Sequence, residues 1–469
     1  MLVAMRGQVA RVVALMATFA CAATPAAHAQ AHAPGASGLG DPYFPKSGNG
    51  GYDVSHYGIA LRYRPNSRRA VATTVLSAAA TQGLSRFNLD FRGPRMTEVT
   101  VDGSPAGFTR EGQELIVTPR SPIDDGDEFE VSVAYSGKLG PVRDADGSIG
   151  GWVPTGDGAF VAGEPRGSPT WFPCNDHPAD KATFELRLTV PRGRRAFGNG
   201  TLEQVIPAGR KTTFVWRMRD PMATYLATAT NGRFRLTQDT VQTAAGPIPS
   251  YVGVDPREAR FSRKPLSRIP RIVGVFDSAF GEYPFESTGA VVDRAPRVGY
   301  ALETQTLPVY STAPDTIIVA HELAHQWFGD SVTPERWSDI WLNEGFATWS
   351  EWLWQARIGK RSLERSFRLN YRVSANARGF WNPPSGSPGG PKHLFARSVY
   401  VRGGLTLEAL RQKIGDAAFY SILRRWVAEH AYGNASTADF VALAEQESDL
   451  QLDEFFEAWL YERGKPKRW

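Results

Sequence analysis

Two histidines four residues apart, with a glutamate between them, dominate the chemistry of this 469-residue chain: the run reads Ile-Ile-Val-Ala-His321-Glu322-Leu-Ala-His325-Gln-Trp-Phe. On a helix, positions i and i+4 lie one turn apart, so both imidazoles leave the same face. Two neutral ring nitrogens there can hold Zn2+, and a carboxylate beside the first histidine can reach a water on the metal. The bland alternative is an amphipathic core helix with incidental histidines. A third donor argues against it. Glu344 follows His325 after eighteen intervening residues, inside a second helix-like run, Trp341-Leu342-Asn343-Glu344-Gly345-Phe346-Ala347. Two helices joined by a short connection can bring Glu344 onto the histidine face. His321, His325 and Glu344 would then leave one zinc position open for water, the arrangement of a catalytic site.

The elements that must position these groups are legible in outline. From Tyr52 to about Gln238 the apolar residues recur with period two, as in Tyr57, Ile59, Leu61, Tyr63 and in Phe184, Leu186, Leu188, Val190. Turn clusters such as Asp102-Gly103-Ser104-Pro105 punctuate them, so the first half reads as an all-β, sandwich-like domain. Thr240 to Pro249 reads as a polar join. Beyond Tyr251 the spacing becomes helical: Ile269, Ile272, Val273, Phe276, Phe280, then Leu342, Phe346, Trp349, Leu353, and on through Leu405–Trp459. The Gly/Pro-rich stretch 379–391 reads as a long surface loop.

Further motifs extend the pattern. Glu164-Pro165 precedes Trp171-Phe172-Pro173-Cys174-Asn175-Asp176-His177-Pro178 and Lys181-Ala182-Thr183-Phe184; Phe280-Gly281-Glu282-Tyr283-Pro284-Phe285, Tyr400-Val401-Arg402-Gly403 and Phe456-x-x-Trp459 follow. Together with the zinc-type segment these resemble the gluzincin aminopeptidases of the M1 class, the family of aminopeptidase N and leukotriene A4 hydrolase, over nearly the whole chain from Tyr52 onward.

The resemblance implies an α+β multidomain fold, a β domain at about 51–245 followed by a mostly α, thermolysin-like zinc-peptidase domain at about 246–469. It implies one Zn2+ per chain, held by His321, His325 and Glu344, and hydrolysis of the N-terminal peptide bond of peptides. Glu322 would be the general base, and Tyr400 the donor that stabilises the oxyanion. Glu303, in Tyr300-Ala301-Leu302-Glu303-Thr304, and Glu164 would anchor the free amine; the Gly, Met and Asn that the family has around the first of these are replaced by Tyr300, Leu302 and Thr304. The chain ends at Trp469, just past the segment that closes the family's catalytic domain, so the resemblance implies a short form without a C-terminal helical domain and a more open cleft. A zinc endopeptidase of the same fold, or a non-catalytic peptide-binding module, are the competing readings. Asp330 and Arg402 are candidates for supporting the site, Trp341 or Trp349 for lining it, while His56, His177, His393 and His430 read as structural.

Composition has the balance of an ordinary soluble globular protein. Charged residues are 22% and hydrophobic ones 42%, with 53 Lys+Arg against 48 Asp+Glu. The basic residues are scattered along the sequence, which argues against a nucleic-acid partner. Residues 1–29 carry Arg6 and Arg11, then an apolar run, then Ala27-His28-Ala29, the order of a cleaved signal peptide. Export to the periplasm or the medium follows, with no membrane association after cleavage, a loose Ala/Gly/Pro-rich leader over 30–50, and only Cys174 left, hence no internal disulfide.

Overall fold

Alternating apolar residues in the first half form strands with one buried face. In Tyr52–Arg64, the side chains of Tyr57, Ile59, Leu61 and Tyr63 are buried and the residues between them are exposed or half-buried. The computed structural model describes residues 31–467, so the expected signal peptide lies outside the described residues. An eight-stranded sheet runs Thr201–Ala208, Lys211–Ala223, Lys181–Pro191, Tyr52–Arg64, Arg69–Ala80, Glu128–Lys138, Arg95–Val101, Ser104–Pro105. Its one parallel pairing sets Lys181–Pro191 beside Tyr52–Arg64, with Phe184 opposite Tyr57 and Leu188 opposite Leu61.

A four-stranded sheet, Ala33–Pro34, Leu84–Asp90, Glu114–Thr118, Gly107–Glu111, packs on it. Phe87 of the smaller sheet lies 5.7 Å from Tyr52 and 5.3 Å from Phe129 of the larger, edge-on and tilted, and this is the sandwich core. A third sheet of five short strands holds Ile149–Pro154 and Ala159–Ala162, the latter leading directly to Glu164.

Three expectations need correction. The leader is not loose. Ala33–Pro34 pairs with Leu84–Asp90, and the buried Asp41 carboxylate accepts the backbone N–H groups of Tyr43, Phe44 and, far along the chain, Trp337. The polar join at 240–249 is a β-hairpin, Arg235–Thr243 with Gly246–Val254, and it opens a fourth sheet that continues through Thr288–Val292, Val309–Tyr310 and the edge strand Ala301–Leu302. The stretch 379–391 has irregular backbone but is packed: Phe380, Trp381 and Ser385 are buried.

The helices appear where the spacing placed them. Ile269–Phe280 buries Ile272, Val273, Phe276 and Phe280, and Trp341–Arg357 buries Leu342, Phe346, Trp349 and Leu353. Arg397–Ile414, Asp416–Glu429 and Thr437–Ser448 follow. Among the described residues no helix is long and apolar enough to cross a membrane, and Cys174 is buried and unpaired.

Candidate active site

The helix Thr316–Ala324 starts at Asp315, whose carboxylate accepts the N–H groups of Ile317 and Ile318 as an N-cap. It carries His321 and Glu322, and His325 closes it. A second helix, Trp341–Arg357, carries Glu344. A third, Arg397–Ile414, comes unusually close to the second, because Gly345 meets Gly403: a Cβ on Gly345 would lie 2.9 Å from the Gly403 Cα. That approach, which only glycine permits on both sides, brings Tyr400 over the ligand helix, its ring 6.0 Å from that of His321 and nearly parallel.

His321, His325 and Glu344 converge, with one donor atom of each within 4.8 Å of the others. The Glu344 Oε2 atom stands 3.2 Å from His321 Nε2 and 3.6 Å from His325 Nε2. Donors bound at zinc distances around a tetrahedral ion sit ~3.3 Å apart, so the residues fit the metal. Each histidine's other nitrogen is already engaged: His321 Nδ1 lies 2.8 Å from Glu351 Oε1, and His325 Nδ1 lies 3.0 Å from the Phe328 carbonyl. With Nδ1–H donating to those oxygens, both Nε2 lone pairs face Glu344 and are free for a cation.

Glu351 was missed in the sequence. It lies two helical turns beyond Glu344 on the same face, and that i+7 relation to a proposed ligand is the signal that could have found it.

Burial and mutual charge set the electrostatics. Burial alone would raise the Glu344 carboxyl, but the two imidazoles bring it down to about 2. Burial lowers the His325 imidazole, and the carboxylates of Glu303 and Glu344 outweigh it, carrying it up to about 9. Glu322 is pushed up to about 8, by burial opposed by the charge of His321. Burial first, then the charge of Glu344, holds the Tyr400 hydroxyl well above its usual range, so it stays a donor.

Glu303 and Glu164 join this cluster from opposite sides. Glu303 follows the edge strand Ala301–Leu302, and the Gln326 side chain ties its carbonyl to the ligand helix at 3.2 Å. Glu164 arrives from the β domain. The carboxylates of Glu164, Glu303 and Glu344 come within 4.8 Å of one another. Glu164 Oε1 and Glu303 Oε1 are buried with no hydrogen-bond partner. Burial raises both acids, Glu164 well above the ordinary range with the Glu303 charge adding to the effect, and Glu303 less because the His325 charge opposes it.

A cleft of about 360 Å³ opens onto these groups. Its remaining walls are Tyr300, Ile318, Glu351 and Phe395, with Asp146 and Ser148 at the rim. None of these was singled out from sequence as a lining residue, and Phe395, in a loop, gives no periodic signal.

The other candidates are placed elsewhere. Trp341 and Trp349 do not line the cleft: they are buried, their indole N–H groups donating to Thr437 Oγ1 at 2.9 Å and Glu408 Oε2 at 3.1 Å. Arg402 points away, donating to the carbonyls of Trp381, Ala458, Trp459 and Glu462. Asp330 is buried, its carboxyl held well above the usual range by burial and by the charge of Glu303. The Lys181 amine donates to the carbonyls of Asp330 and Ser331, both at 2.9 Å, and so fastens the β domain to the turn that follows His325. His177 lies 3.6 Å from Asp41, His56 bonds Thr183, and His430 packs at a tilt against Trp426, all away from the cleft.

Comparison with known proteins finds matches across both halves of the chain. Residues 55–226 match the peptidase M1 N-terminal domain, and 270–459 match the peptidase family M1 domain. The crystal structure of a two-domain M1 zinc metallopeptidase mutant bound to L-arginine superposes with a TM-score of 0.85 at 30% identity, covering 92% of this chain and 99% of that one. A mutant M1 zinc metallopeptidase from Deinococcus radiodurans, bound to a Tyr-Ser-Ala substrate, gives a TM-score of 0.84 at 29% identity, covering 92% of this chain and 100% of that one. Aminopeptidase M1 of Arabidopsis thaliana is 27% identical over 338 residues, 65% of this chain and 36% of that protein. The chain spans about 40% of the length of the first curated relatives it matches. A β domain, a helical domain with a two-histidine, one-glutamate cluster, and these matches across both halves lead to one assignment: the chain belongs to peptidase family M1, the zinc metallopeptidases.

Proposed function

We propose that this protein is a zinc-dependent aminopeptidase that removes the N-terminal residue from peptides, and that it works outside the cytoplasm, as the pattern of residues 1–29 suggests. The observation that carries the exopeptidase reading is the pair Glu164 and Glu303, two buried carboxylates with unpartnered oxygens beside the metal-type cluster. Two buried carboxyl groups, each with an oxygen lacking a hydrogen bond, are costly to ionise side by side, in keeping with the raised values of both acids, and an α-ammonium group supplies positive charge and up to three N–H donors there.

His321, His325 and Glu344 hold the zinc, which when bound supplies Lewis acidity, lowering the pKa of water toward ~7 and polarising a carbonyl. Glu322 takes the proton of the attacking water and returns it to the leaving amine; a carboxyl brought near neutrality is suited to both transfers. Tyr400 donates its hydroxyl proton in a hydrogen bond to the substrate oxygen as charge develops there. Glu351 keeps the His321 ring in the orientation that directs Nε2 inward. With Glu164 and Glu303 holding the ammonium, only the first peptide bond falls within reach of Glu322.

The test is hydrolysis of aminoacyl amides and short peptides, free and N-acetylated, by protein of measured zinc content. Cleavage of the free substrates only is the expected result. Equal cleavage of acetylated ones would indicate an endopeptidase, and zinc binding without turnover a peptide-binding module.

A further inference from the structure

Basic residues that are dispersed in the sequence come together at one end of the eight-stranded sheet. Arg62 and Arg64 close the strand Tyr52–Arg64; Arg192 and Arg194 follow Lys181–Pro191; Arg210 and Lys211 form the turn between Thr201–Ala208 and Lys211–Ala223. The register makes them neighbours: Thr189 is opposite Arg62, Pro191 is opposite Lys211, and the Arg192 N–H donates to the Arg210 carbonyl at 2.9 Å. With strands ~4.8 Å apart, the side chains of adjacent strand ends overlap in reach.

All six line one cleft of about 640 Å³, together with the polar side chains of Asn66, Ser67 and Thr189. The segments that build this end, 61–70, 135–142, 188–195 and 207–213, contain no Asp or Glu. Among the described residues none of the six cations forms an ion pair. The Asp157 side chain, beside Arg194, is engaged elsewhere: Arg194 Nε donates to the Asp157 backbone carbonyl, while the Asp157 carboxylate takes the Arg233 N–H and faces Arg257. The cleft shares no residue with the one over the zinc ligands.

We propose that this cleft is a binding site for clustered phosphate groups, carried by a free oligophosphate or by an anionic lipid headgroup. Five of the six cations are arginines, whose planar forks match phosphate oxygens two at a time. Six positive charges with no acid between them repel one another, and a compact polyanion turns that repulsion into attraction. Nucleic acid is the poorer fit. The cleft offers no exposed aromatic ring on which a base could stack, since Tyr63 is buried, and no helix to enter a groove. The inference does not depend on the peptidase reading.

Titration calorimetry with sodium tripolyphosphate at physiological ionic strength, and sedimentation with phosphatidylglycerol or phosphatidylcholine vesicles, compare three proteins. These are the parent, the cleft variant Arg62→Gln/Arg192→Gln/Arg210→Gln, and a charge-matched control, Arg361→Gln/Arg365→Gln/Arg368→Gln, exposed on the helix Leu363–Tyr371 and just before it. The parent is expected to bind tripolyphosphate, or phosphatidylglycerol but not phosphatidylcholine vesicles. The cleft variant should bind at least ~10-fold more weakly with an unchanged unfolding temperature, and the control within ~2-fold of the parent. Binding to vesicles alone identifies the lipid source, and binding to tripolyphosphate alone the free one. No binding to either probe, equal weakening in both variants, or tighter binding of a short single-stranded oligonucleotide would overturn the proposal.

Discussion

The helix Arg397–Ile414 has charged groups at two depths, and they are treated in opposite ways. Away from the cleft, the buried charges of this helix are answered. Arg402, fully buried, donates to four backbone carbonyls, and the Glu408 carboxylate is held by Arg411, Gln412 and Trp349. Two residues before Arg402, Tyr400 faces a cleft where the carboxylates of Glu164 and Glu303 are also buried yet each keep an oxygen without a hydrogen-bond partner. Burying charge is tolerable when its hydrogen bonds are complete and costly when they are not. The satisfied cluster reads as architecture, and the unsatisfied one is where the proposed ammonium contact would fall.

Substitutions on the two sides should separate cleanly. The largest effect is expected for Glu322→Gln, which leaves shape and ligands intact but removes the base: kcat should fall by about 10³-fold with zinc content unchanged. Loss of zinc instead would make Glu322 part of the metal cluster. Next is Arg402→Met. It strands four carbonyls and should cost about 4 kcal/mol of stability in denaturant unfolding, with kcat per folded molecule preserved. A specific loss of kcat at unchanged stability would move Arg402 into the site and blur the contrast. Tyr400→Phe, two residues away, should do the reverse: stability within about 0.5 kcal/mol, and kcat lower by ~10²-fold. Near-normal turnover of this variant would remove the tyrosine from the mechanism.

The same contrast explains how much could be read in advance. His321, Glu322, His325 and the distant Glu344 were legible because helix periodicity fixes their geometry locally and the family pattern fixes the rest. Tyr400, Glu303 and Glu164 were legible only through their motifs, since nothing in their immediate sequence says that three separate elements meet. Glu351 escaped because its contact with His321 depends on how Trp341–Arg357 lies against the ligand helix Thr316–Ala324, a property of packing between the two rather than of any single segment. The inner part of the fourth sheet was hidden because Val309–Tyr310 and Ala301–Leu302 are only two residues long and Thr288–Val292 is buried on both faces, so no alternation marks it. Residues 31–50 looked loose by composition, but composition does not register a single Asp41 that gathers three backbone N–H groups. The basic sheet end was invisible for a related reason: register, not sequence proximity, assembles it.

The smallest effect, and the sharpest test of the contrast, belongs to Glu164→Gln. Its loss should raise KM for unblocked aminoacyl substrates by ~10-fold, because one ammonium contact remains through Glu303. Stability should move the other way. The Glu164 carboxyl is raised well above its ordinary value of 4.5 by burial and by the Glu303 charge. A carboxyl whose folded-state value exceeds its unfolded value destabilises the fold as pH rises above the unfolded value and the native state must either hold an extra proton or bury the charge. The parent should therefore lose stability relative to Glu164→Gln as pH climbs from about 4.5, with the difference levelling off only above the raised folded-state value. Unfolding curves of the two proteins between pH 5 and 8, in the absence of substrate, measure this directly. A variant that is less stable than the parent, with a gap that widens toward high pH, would mean that the Glu164 charge is answered within the fold after all, placing it with Arg402 and Glu408 rather than with the groups that await an ammonium ion.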